Sequence, residues 1–160
     1  MTSTGSSSAF PRIGLTWGIK RSFIRYISYL PDGHHVVEEG AYLNDGSLFT
    51  FPISPAAVPD ADEMRFQGTV RIGGHGGLLG VLLSDLWVNV SGDRGTLSVL
   101  DLSRWPTRRN RITLAELEVH RQQQDDGLVL HCAAALAEEG VSVFGGNYPQ
   151  GTALDPVVVH

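Results

Sequence analysis

The chain has 160 residues, a size at which a single domain hides about 70% of its unfolded surface. Asp and Glu number 17 against 12 Lys and Arg, giving a formal charge of −5, and Cys132 is the sole cysteine. This composition excludes an intrachain disulfide and a Cys-rich metal site and argues against a dedicated nucleic-acid surface, and no apolar run of about 18 residues is present to span a membrane.

Residues 1–13, MTSTGSSSAFPRI, read as a flexible polar tail with neither a positive n-region nor an apolar h-region. The expectation is a cytoplasmic chain with one domain over residues 14–160. From Ile19 the residues Ile19, Phe23, Tyr26 and Leu30 recur at spacings of four, three and four. That periodicity predicts a helix of about three turns, stopped by Pro31-Asp32-Gly33 and too short to persist without tertiary packing.

Beyond it the pattern changes to strands. Short runs rich in Val, Leu, Ile and aromatics occupy His35–Leu43, Leu48–Phe51, Met64–Ile72, Leu78–Ser84, Leu86–Ser91, Thr96–Leu102, Arg111–Val119 and Leu128–Ala133. Turn signals rich in Gly, Asn and Asp separate them. Ala133–Gly140 reads as a second short helix with Gly140 at its end, and Val157–Val159 as a last strand. The predicted fold is mostly β, an antiparallel β-sandwich or barrel-like domain with two short α-helices.

Three constellations bear on function. Ser22 and Tyr26 stand four apart and share a helix face with Phe23 and Ile19 nearby; Tyr26 is either a core tyrosine with its hydroxyl satisfied or a residue with a chemical role. Gly73-Gly74-His75-Gly76-Gly77 frees the backbone for close approach and leaves the imidazole unhindered. Taken alone it reads first as a hairpin turn with an exposed histidine, and it lacks the patterns of phosphate-binding loops. Val143 to Pro149, with Phe144 and Tyr148, is a dense aromatic and glycine segment that otherwise reads as a structured loop feeding the last strand. Weaker features include His34, His35, Glu38 and Glu39, where strand alternation sends the two histidines to opposite faces and disfavours a shared metal. A basic patch of Arg104, Arg108, Arg109 and Arg111 surrounds Trp105, and patches of this kind are usually solvated. No GxSxG nucleophile elbow is present, and Cys132 sits in an apolar strand as an inert thiol.

Together the segments LTWGIK followed by Ser22, Phe23 and Tyr26, then FQGTVRIGGHGGLLGVLLS over 66–84, and VFGGNYPQGTALDPV over 143–157, resemble the HtaA domain. That family comprises haem-binding modules of actinobacterial haem-uptake proteins, and the resemblance covers most of residues 15–159. It implies ferric haem b held through a tyrosine oxygen, with a histidine hydrogen-bonded to that tyrosine. The ligand falls on Tyr26, the histidine on His75, and a serine near a haem propionate on Ser22. Phe23, Phe144 and Tyr148 supply apolar surface for the porphyrin. Many members carry a signal peptide and a membrane anchor, and neither is visible here.

The residue types suit that chemistry. A phenol has an ordinary pKa near 10, and bonding to Fe(III) favours the phenolate, a ligand type found in catalase. A neighbouring donor orients such a ligand and tunes its basicity. The resulting expectation is a haem transport, transfer or storage module, with haem and another haem-transfer protein as partners. The alternative is a haem-dependent, peroxidase-like or haem-modifying enzyme, for which no distal His/Arg pair can be identified.

Overall fold

The computed structural model describes residues 14–44, 48–55, 62–101, 110–125 and 127–160. In chain order the elements are β1 (Gly14–Trp17), α1 (Arg21–Tyr29), β2 (His34–Glu38), β3 (Tyr42–Leu43), β4 (Phe49–Pro52), β5 (Glu63–Arg65) and β6 (Thr69–Gly74). A single 3-10 turn (His75–Gly77) leads to β7 (Leu79–Ser84), β8 (Trp87–Ser91), β9 (Arg94–Leu100), β10 (Arg111–Gln124) and β11 (Gly127–Leu136). A 3-10 helix (Glu138–Phe144) and β12 (Ala153–Val159) complete the chain.

The strands form a nine-stranded sheet in the order β3-β4-β1-β12-β11-β10-β9-β8-β5 and a three-stranded sheet β2-β6-β7. Every pairing is antiparallel. Neither sheet closes on itself, so the mostly β expectation is met by a sandwich-like arrangement. The core between the layers is built from Trp17, Phe51, Phe66, Leu83, Leu97, Leu114 and Leu136, all fully buried. The first and last strands pair directly, with Gly14 N–H donating to the His160 carbonyl (2.6 Å) and His160 N–H to the Gly14 carbonyl (2.8 Å).

Two helix boundaries differ from the sequence reading. The first helix begins at Arg21; Ile19 lies in the connection before it, fully buried, with a left-handed φ of 62°. The buried stripe is Phe23 and Ile27, so Tyr26 stands beside the apolar stripe rather than within it. The second predicted helix, Ala133–Gly140, is corrected: residues through Leu136 continue β11, and the helical segment is the 3-10 helix that follows. Cys132, Ala134 and Leu136 point inward while His131 and Ala133 point out, and pairing with β10 and β12 outweighs the helix preference of the alanines. The His35–Leu43 run also divides, because Glu39 and Gly40 turn with φ of 58° and 103°. Trp105 and its neighbours Arg104, Arg108 and Arg109 lie outside the described residues.

The short α1 owes its place to tertiary anchors. Its amino end has no side-chain cap of its own. Asp155 of β12 substitutes, its carboxylate accepting the Arg21 N–H at 3.0 Å while its own N–H donates to the Ile19 carbonyl at 2.9 Å. Trp17 Nε1 donates to the Asp155 carbonyl at 2.7 Å, tying the same strand to the core. At the far side of the large sheet the Trp87 indole lies between the Arg65 and Arg111 guanidinium groups, each 3.9 Å from the ring centre. Burial lowers the Arg111 pKa to about 10, which leaves it charged at neutral pH.

Cys132 is 1% exposed, and burial raises its thiol pKa to about 11. Because the thiolate is the reactive form, the folded chain is expected to resist a disulfide reagent such as DTNB at about pH 8 and to react in urea. Rapid reaction of the native protein would show that this strand opens readily.

Candidate functional site

The site forms where α1 meets the tip of the β6–β7 hairpin. The chain leaves α1 through Leu30, Pro31, Asp32 and Gly33 and enters β2, which pairs with β6 from His34↔Gly73 onward. This connection lays the carboxyl end of α1 beside the hairpin tip. The approach is close: a Cβ on Gly74 would stand 2.7 Å from Leu30 Cδ1, so a larger residue there would require the Leu30 side chain to move.

Tyr26 and His75, 49 residues apart, meet across this junction through a hydrogen bond between Tyr26 Oη and His75 Nε2. Their ring centres are 5.6 Å apart with planes inclined at 47°. Tyr26 is 48% exposed; Tyr29, three residues after it, and Leu78, three residues after His75, are 80% and 92% exposed, large side chains left facing solvent. His75, Gly76 and Gly77 all have left-handed φ values of 55°, 63° and 93°. A Cβ at Gly76 or Gly77 would meet nothing within 4 Å. The glycines there serve the turn and leave the space beside the imidazole open.

Asp32, read from sequence only as part of a helix stop, is a site residue that sequence reasoning missed. Its Oδ1 accepts the His75 N–H at 3.1 Å and its Oδ2 the Gly76 N–H at 2.7 Å. The Gly76 amide, more than any other group, holds the Asp32 carboxyl below its ordinary pKa; desolvation, the next largest effect, opposes it, and the His75 amide, Asp32's own amide and the His75 imidazole add to the lowering. A lowered carboxylate pKa means that these bonds are complete above the ordinary Asp range and are lost only as pH falls through the lowered value.

The other candidates divide. Phe23 and Phe144 are buried, and with Tyr148 they form a T-shaped triad with ring centres 5.8, 6.2 and 6.0 Å apart. They support α1 from below and turn no face outward except through the partly buried Tyr148. Burial, then the nearby Tyr26, raises the Tyr148 phenol pKa. Lys20 Nζ lies 5.2 Å from the centre of the Tyr148 ring, a cation that the sequence reading did not single out. Ser22 is exposed on α1, one turn before Tyr26. Neither His34 nor His35 joins the Tyr26–His75 pair: His34 Nδ1 bonds the Asp32 carbonyl at 3.1 Å, and His35 packs edge-on against Phe49. Among the described residues no group of three or more His, Cys, Asp or Glu is arranged to hold a metal ion. No described helix is long and apolar enough to cross a membrane.

The family model HtaA (Htaa) matches residues 13–160. No curated protein matches the chain. Among solved structures, the chain is similar to the C-terminal domain of HtaA from Corynebacterium glutamicum at 23% identity and a TM-score of 0.74, covering 91% of this chain and 92% of that one. It is also similar to the N-terminal domain of that protein, at 23% identity and a TM-score of 0.71 over 91% and 94% of the two chains. The haem-binding protein HtaB of the same organism is similar at 19% identity and a TM-score of 0.65, over 94% of each chain.

Proposed function

The chain belongs to the HtaA family, and from that premise we propose that it binds ferric haem b as cargo, with Tyr26 as the iron ligand, for transport, transfer or storage. The observation that carries the reading is the Tyr26–His75 pair, a phenol and an imidazole in hydrogen-bond contact, with the exposed Tyr29 and Leu78 three residues along the chain from each. The donor set fits the group. Haem supplies a hard ferric centre, for which a phenolate oxygen is a suitable ligand.

The chain's own residues carry the rest. Tyr26 has to lose its proton to ligate, and His75 Nε2, already at its oxygen, is placed to take it. The resulting imidazolium then donates back to the phenolate and holds its ring in place, as a neighbouring partner does for a ligand. Ser22 and Lys20, toward the amino end of α1, offer a hydroxyl and an ammonium for the propionates. Tyr29 and Leu78 supply apolar cover, while the Phe23–Phe144–Tyr148 triad fixes the helix that carries the ligand. Transfer to or from another haem-carrying protein follows from a site that faces solvent.

Titrating hemin into the apo protein while recording absorption tests this. Saturable binding of one hemin per chain with a distinct ferric spectrum supports it, and purely non-saturable uptake overturns it. His75→Ala is expected to bind still, with an altered spectrum and an affinity loss of about 10- to 100-fold, the usual cost of removing a partner of a metal ligand. An unchanged spectrum would remove His75 from the site.

A further inference from the structure

We infer that Asp32 is the residue that positions His75 against Tyr26, by holding two consecutive amides of the hairpin tip in a left-handed turn. The inference concerns the free protein; only its consequence for haem rests on the function proposed above. A histidine at φ 55° adopts a backbone region that side chains with a Cβ enter at a cost, so its conformation needs an external hold. The turn has little of its own: one backbone bond crosses it, Leu78 N–H to the His75 carbonyl at 3.1 Å, and a Cβ on Gly76 or Gly77 would meet nothing within 4 Å.

Asp32 provides the hold. Successive N–H groups in such a turn point to one side and make a small anion-binding concavity. Here each oxygen of one carboxylate accepts one of them. The carboxylate is fixed in turn. Pro31 restricts the backbone before it, the Leu30 N–H bonds the Ile27 carbonyl at 3.1 Å, and the Gly33 N–H bonds the Leu30 carbonyl at 3.1 Å. The Asp32 carbonyl also meets His34 Nδ1. Asp32 therefore connects the end of the helix that carries Tyr26 to the turn that carries His75. The direction in which the imidazole leaves the turn is set by the chain segment that also ends α1.

The test uses the apo protein and its Asp32→Ala and Asp32→Asn variants, each checked for wild-type circular dichroism. Amide exchange of Gly76 and the imidazole ¹⁵N shifts of His75 are followed by NMR. Loss of an amide bond to a charged acceptor is expected to speed Gly76 exchange on the order of tenfold or more, and the His75 ring nitrogens should move toward the shifts of an unpartnered imidazole. If Asp32→Ala does not fold, Asp32→Asn carries the test, because its amide offers one acceptor oxygen in place of two and the turn keeps only one bond. With hemin added, Asp32→Ala should reproduce the His75→Ala spectrum, and the double variant should add nothing further. His75 ring shifts that stay at their wild-type values in both variants overturn the inference. Failure of the wild-type protein to bind hemin overturns the proposed function instead and leaves the NMR result standing.

Discussion

Tyr26→Ala is expected to lose ferric haem affinity by more than 100-fold, while Tyr29→Phe binds as wild type. The comparison rests on contact rather than on proximity in sequence. Both tyrosines lie on α1 and both are exposed, but only Tyr26 is hydrogen-bonded to a histidine. Removing a partner of a metal ligand typically costs about 10- to 100-fold, so removing the ligand itself exceeds the effect expected for His75→Ala. Tyr26→Phe separates the contributions further, since it keeps the ring and deletes only the oxygen. Equal hemin affinity for Tyr26→Ala and wild type, measured by absorption titration, would sink the assignment. A large loss in Tyr29→Phe would point to the wrong phenol.

The second large effect falls on stability. Phe144→Ala is expected to destabilise the fold by about 3–5 kcal/mol, the range for emptying a buried phenylalanine site. Phe144 is 1% exposed at the end of the 3-10 helix and meets both Phe23 and Tyr148 edge to face. Truncation removes those contacts and leaves a cavity directly beneath α1. Against a typical total of about 5–15 kcal/mol this is a severe loss, readable as a lower urea midpoint. Phe144→Leu should recover much of it by refilling the space. A loss under about 1 kcal/mol for the alanine variant would mean that the triad is not the support of the helix.

These two residues show how much the sequence discloses. The strand content was legible because alternation and turn residues repeat along most of the chain, and Phe144 stood out within an aromatic and glycine-rich segment. Tyr26 and His75 are each singled out as a residue type, but 49 residues separate them, and no local pattern states that they touch. Only the resemblance to a family joined them. The periodicity of Ile19, Phe23, Tyr26 and Leu30 placed Tyr26 on the buried face because spacing alone cannot tell Tyr26 from Ile27 as the second inward residue. Ala133–Gly140 misled for a related reason: a run of alanines favours a helix in isolation, and two neighbouring strands reverse that preference. Asp32 was hidden most completely, since a turn aspartate looks the same whether it caps its own backbone or that of a hairpin 43 residues away.

The pairing of β1 with β12 has a mechanical consequence. Gly14 and His160 face each other through two backbone bonds, and the register runs inward from Leu15↔Val159 to Trp17↔Val157. Tension applied between those two ends reaches the ladder at one edge and opens its rungs one after another, rather than straining all of them together. The fold should therefore peel at low force when pulled from Gly14 and His160 and resist far better when pulled along β10 and β11, whose long ladder would be loaded in shear.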